Sequence, residues 1–161
     1  MKTQPLIYPF IPKSANWLLA GHFWALPLSD GTFGCGRVIE VPAAETRTST
    51  MEFLAGVLDW NSTELPTSLS IAQAKCLKQG TAHIRAITRT GGEILGYRDL
   101  GEDRIEPWLF RGAEFWKNSQ VMRGFSPVRP QTPDDDDLPV LSGWGYKVPC
   151  VIGEGRFVNN A

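Results

Sequence analysis

The sequence predicts an α+β fold: a strongly curved antiparallel sheet or small open β-barrel with one or two short helices, all in a single domain. Three observations carry that expectation. The 161-residue chain contains 16 glycines and 12 prolines, spaced closely enough to leave few windows that suit a helix. Residues 23–28 and 33–41 are strand-like runs on either side of Asp30-Gly31, a step that suits a two-residue hairpin loop. Gly34 and Gly36 alternate along the second run, and side chains missing from one face let a strand bend, or let a ligand or another backbone approach closely.

The elements follow in order. Residues 1–12 read as an extended arm, because Pro5, Pro9 and Pro12 interrupt Leu6, Ile7, Tyr8, Phe10 and Ile11. The apolar side chains of the arm need a surface, either the chain's own core or a neighbour. The same interruptions leave no apolar run of signal-peptide length, so a cytoplasmic location is expected. A two-residue loop would set Leu28 against Phe33, Leu26 against Cys35 and Trp24 against Arg37, with Gly34 and Gly36 across from Pro27 and Ala25.

After a polar connector at 46–50, residues 51–60 fit a buried strand interrupted at Gly56. Residues 68–79 are the best helix candidate. Ser68 can cap it, Leu69, Ala72, Ala74, Cys76 and Leu77 supply an apolar side, and Gly80 can end it in the left-handed conformation. A second hairpin is expected between residues 82–90 and 93–98 around Gly91-Gly92. Beyond Gly101, Trp108, Leu109 and Phe110 suggest a short strand or an aromatic plug that Phe115 and Trp116 continue. Residues 124–139, with four prolines and four consecutive aspartates, read as an exposed loop. Residues 140–141, 144–146, 148–151 and 156–158 should supply one or two closing strands.

The residues give little support for catalysis. The only histidines, His22 and His83, lie in no metal-binding pattern, and neither a phosphate-cradling glycine loop nor a CxxC pair occurs, so neither cofactor nor metal is expected. Cys35 with His22 is a conceivable nucleophile and base, although Cys35, Cys76 and Cys150 all read better as small core residues. Glu102 and Asp103 read as a solvated turn rather than a glycosidase pair. Trp60, Trp108, Trp116 and Trp144 offer flat faces to a sugar or peptide if they share a groove, and core packing if they do not. A net charge of −1 lacks the broad positive field of nucleic-acid and anionic-membrane binders.

The strongest local charge is Asp134, Asp135, Asp136 and Asp137. Four adjacent carboxylates cannot cheaply all find internal partners. They form either a solvated loop or a patch that recognises a basic surface on another protein.

Residues 21–38, Gly-His-Phe-Trp-Ala-Leu-Pro-Leu-Ser-Asp-Gly-Thr-Phe-Gly-Cys-Gly-Arg-Val, resemble the opening motif of the immunity protein 26 family of bacterial polymorphic-toxin systems. The shared pattern is a Leu-Pro-Leu strand, an Asp-Gly turn and a Gly-Arg-Val strand, with a looser echo in residues 83–87. His22 stands where an acidic residue is expected, and the aspartate-rich loop lies outside the pattern. The resemblance implies a non-enzymatic protein that binds and occludes a cognate protein toxin. In this reading Asp134 to Asp137 are the candidate contacts. Two other classes stay open: a small carbohydrate- or peptide-binding module or hydrolase using tryptophan and carboxylate side chains, and a scaffold subunit of a larger assembly.

Overall fold

Alternating large and small side chains dictate the central sheet. In the computed structural model, which describes residues 7–45, 49–112 and 119–159, β1 (His22–Pro27) pairs antiparallel with β2 (Phe33–Glu40). Trp24 lies opposite Gly36 and Leu26 opposite Gly34. This register is one residue away from the one the two-residue loop implies. The loop has three residues, Ser29, Asp30 and Gly31, closed by the Leu28 N–H on Thr32 O at 2.9 Å. Gly31 takes the left-handed conformation (φ +85°), while the Asp30 carboxylate accepts the Thr32 N–H at 3.0 Å. Gly36 makes room for its large partner, whereas a Cβ at Gly34 would only touch Leu26 at ordinary contact distance. A Cβ at Gly36 would overlap the Trp24 indole.

The sheet grows outward from this hairpin. β3 (Glu52–Leu58) pairs with β2, and β4 (Cys76–His83) pairs with β3, both antiparallel. On the other side, β5 (Gly96–Tyr97) pairs with β1. A second, three-stranded sheet runs β6 (Leu109–Phe110), β7 (Gln120–Arg123) and β8 (Ser126–Pro130). β9 (Gly143–Trp144) then adds parallel to β4, giving the order β5-β1-β2-β3-β4-β9. The α+β expectation holds: two sheets dominate and the helices are short. The main sheet stays open between β5 and β9 and does not close into a barrel.

Both faces of the main sheet are buried. On one, Trp24, Leu26, Val38, Phe53, Ala55, Val57 and Ala82 form a core covered by Ala15, Leu18, Ala86, Ile87 and Ile94, with Tyr8 and Phe10 of the arm packed on its margin. On the other, Phe23, Cys35, Ile39, Leu54 and Leu58 meet Ile71, Ile105 and Phe110. Burying both faces explains why the strands read as near-continuous apolar runs. The described part of the arm is tied down where Phe10 bridges Ile94, leaving Ile7 and Ile11 exposed. No helix among the described residues is long and apolar enough to cross a membrane.

Three further expectations are overturned. Residues 68–79 do not form a helix. Thr67 and Ser70 exchange side-chain and backbone hydrogen bonds, Gln73 turns the chain at φ +66°, and strand β4 follows. Gly80, expected as a helix cap, lies in mid-strand, where a Cβ would overlap the Trp144 indole. The second hairpin is absent as well. Residues after β4 turn into α1 (Arg85–Thr88), and the Ile94 and Gly96–Tyr97 segment pairs with the arm and β1 instead. Finally, residues 148–158 are helical: α2 (Val148–Gly153), with a proline in its first turn, continues into a π-helical turn at Glu154–Val158. The connector at 46–48 and the aromatic pair Phe115 and Trp116 lie outside the described residues.

Candidate partner-binding surface

The four aspartates lie in a short 3-10 turn, Pro133–Asp137, and do not act as one set. Asp135 is buried. Its carboxylate accepts from Arg129 Nη2 at 2.7 Å and Nη1 at 2.9 Å, and from the Thr132 N–H at 2.8 Å. The Arg129 guanidinium and the Thr132 N–H hold that carboxyl well below the usual carboxylate range. Asp135 thus serves as the turn's internal fastening, a role signalled locally by the Thr132-x-x-Asp135 capping-box spacing with Pro133 between them. Asp134, Asp136 and Asp137 are exposed, and the fastened turn presents them together.

Immediately after Asp137, Leu138 and Pro139 line an open groove of about 510 Å³ together with Pro107, Trp108 and Leu109 and the charged Glu106 and Arg123. Hydrogen bonds fix both walls. The Gln79 side chain, buried on β4, accepts the Trp108 N–H at 3.0 Å and donates to Glu106 O at 2.9 Å. The Gly124 N–H bonds Trp108 O at 3.0 Å, and Arg123 Nη1 bonds Pro107 O at 3.0 Å. On the Leu138 side, Arg111 donates from its backbone to Pro139 O and from Nε to Leu138 O, both at 3.0 Å. Glu40 ties the smaller sheet to the larger one, accepting the Phe125 N–H at 2.8 Å.

A buried charge cluster supports the chain leading to this surface. Arg37, fully buried on β2, donates from Nη1 to Asp103 at 3.4 Å and from Nη2 to Arg98 O at 2.5 Å. Arg98 grips the same carboxylate at 2.8 and 2.9 Å, and the Gln73 N–H adds a bond at 2.8 Å. Burial works to raise the Asp103 carboxyl, but the bonds from Arg98 and Gln73 outweigh it and hold the group below its ordinary value. The solvated Glu102-Asp103 turn expected from the sequence is half right. Glu102 is exposed, whereas Asp103 is buried.

The other candidates are dispersed. His22 lies on the Trp24 side of the sheet against Tyr8, Phe10 and Tyr97, while Cys35 packs with Phe23 on the opposite side, so the two are no catalytic pair. Burial pushes the Cys35 thiol up, and the Cys76 thiol up to about 11. Cys76 lies on β4 and Cys150 on α2. His83 ends β4, where its Nδ1 accepts the Arg85 N–H at 3.1 Å. Trp60 and Trp108 pack against one core and Trp144 against the other, so no common groove collects them. Trp116 lies outside the described residues. Among the described residues, no three His, Cys, Asp or Glu side chains gather to hold a metal ion.

His22 supplies a pH-dependent prediction. Its Nδ1 accepts the Leu19 N–H at 3.0 Å, which leaves the proton on Nε2, 3.1 Å from the Tyr8 hydroxyl. Burial lowers the pKa to about 4. The unfolded chain takes up a proton below its ordinary value near 6.5 while the folded chain stays neutral, so stability falls as pH drops from about 6.5 to 4. Urea unfolding across that window is expected to lose roughly 2–3 kcal/mol through this residue, and His22→Gln should flatten that slope. An unchanged slope in His22→Gln would assign the loss to other groups.

A family model described as Immunity protein 26 matches residues 20–120, well beyond the opening motif that first suggested it. The acidic turn and β8 lie C-terminal to the matched span. No curated protein and no solved structure matches the chain.

Proposed function

Because the chain belongs to the immunity protein 26 family, we propose that it binds a cognate bacterial toxin and neutralises it by covering a surface the toxin needs. The family match carries this reading. The placement of the acidic turn supports a contact made through Asp134, Asp136 and Asp137, with Asp135 holding the turn in shape. In this mode the protein acts by complementarity and transforms no substrate. A basic patch on the toxin would be drawn in by three fixed carboxylates, which raise the encounter rate more than they slow dissociation.

The test is growth rescue when the chain is co-expressed with candidate toxin domains, followed by binding kinetics on the domain that is neutralised. Changing Asp134, Asp136 and Asp137 together to Asn should lower the association rate roughly tenfold at low ionic strength. The deficit should shrink at about 0.5 M salt, where screening already suppresses the attraction. Thermal stability should hardly move, because Asp135 and its partners are untouched. Association indifferent both to these substitutions and to salt removes the acidic turn from the contact.

A further inference from the structure

We infer that the groove between Trp108 and Leu138 is the anchoring pocket of the same interface, and that it takes an apolar, preferably aromatic, side chain of the partner flanked by lysine or arginine; this rests on the toxin-binding reading. The groove is lined mainly by Pro107, Trp108, Leu109, Leu138 and Pro139 and opens to solvent. Its shape is preset. Gln79 and Gly124 fix the Trp108 wall, and Arg111 fixes the Leu138 wall, so little ordering is left to be done on binding.

Charge decides what sort of side chain accompanies the anchor. At the margin, Arg123 and Glu106 are paired at 3.4 Å and cancel. Arg129 is likewise taken up by Asp135. Among the described residues, the Arg111 guanidinium is directed at the carbonyls of Leu138 and Gly112, and Arg104 and Lys75 line an adjoining pocket that shares Glu106 and Trp108 with the groove. On the Leu138 side stand the exposed Asp134, Asp136 and Asp137, which lead directly into that wall. On this side an occupant bearing acidic neighbours is therefore repelled, and one bearing basic neighbours is attracted. Steering and anchoring are thereby divided between adjoining features. The carboxylates govern approach, and the groove governs release.

Two measurements test this. The first titrates the isotope-labelled full chain with the peptide acetyl-Lys-Trp-Lys-amide and, separately, with acetyl-Glu-Trp-Glu-amide, following the Trp108 indole and Leu138 methyl resonances. The basic peptide should move both signals and the acidic one should leave them in place. Signals that ignore the basic peptide, or that respond equally to both, overturn the proposal. The second measures dissociation of the neutralised toxin domain from Leu138→Lys, with Leu138→Met as the conservative control. Leu138→Lys should speed dissociation at least about tenfold at low and high salt alike, and Leu138→Met should stay near wild type. A folded Leu138→Lys variant that releases the toxin at the wild-type rate also overturns the groove assignment. If the peptide response appears as described but the wild-type chain neutralises no toxin domain, the groove chemistry stands and the toxin reading fails.

Discussion

Replacing Asp103 by alanine is expected to cost about 3–5 kcal/mol of folding stability, the range typical of a buried ion pair broken from one side. Two guanidiniums converge on this carboxylate, and Arg37 is fully enclosed, so the substitution leaves a positive charge in the interior with no counter-charge. For a chain of this size the loss corresponds to a fall in Tm of roughly 6–20 °C by thermal denaturation. Neighbouring Glu102, whose side chain is largely exposed 3.6 Å from Arg98, is the internal control. Glu102→Ala should stay within about 0.5 kcal/mol of wild type. Equal effects at the two positions would refute the assignment of the buried partner to Asp103.

The second large effect concerns the β1–β2 register. Gly36→Ala should destabilise by about 2–3 kcal/mol, since the added methyl overlaps the fully buried Trp24 indole and neither strand has space to yield. Shrinking the ring should restore room. In a Trp24→Phe background, Gly36→Ala is expected to cost about 1 kcal/mol or less, a coupling that a double-mutant cycle in urea reads directly. A two-residue loop would set Gly36 across from Ala25 and predicts no such coupling. Additive effects in the cycle would therefore restore the register that the observed pairing displaces.

Why that register was hard to read shows which features local sequence can specify. The Asp30-Gly31 step identifies a turn whatever its length, and both strands follow from it. Loop length, however, depends on whether Gly31 occupies the last position of a three-residue loop, and Trp24 against Gly36 settles that only through packing. The opening motif was legible as a family resemblance for a related reason. Its residues have structural duties: the Gly31 turn, the Gly36 hollow and the Arg37 anchor for Asp103.

Between residues 68 and 98 the departures from the sequence expectation arise from long-range partners. Residues 68–79 carry adequate helix signals, but β4 completes the sheet beside β3, and Gly80 answers to Trp144, a residue 64 positions away. Likewise Ile94 and Gly96–Tyr97 find the arm and β1 in place of the adjacent strand. The candidate contact was legible as charge but only in part as geometry. Composition marks four aspartates; the spacing from Thr132 singles out Asp135 as a cap, and the fold adds the grip of Arg129 that separates it from the three exposed ones. The groove had no local signature, because its two walls come from segments some thirty residues apart, positioned by Gln79 and Arg111.

The composition of β8 has a consequence for association between sheets. All five of its residues are exposed at the border of the smaller sheet, yet Pro127 and Pro130 contribute no N–H, and the pairing with β7 slips between Val121 and Met122. A border so poor in donors is a bad template for a foreign strand. Surface residues around it are therefore free to change without opening a path to fibrous self-assembly.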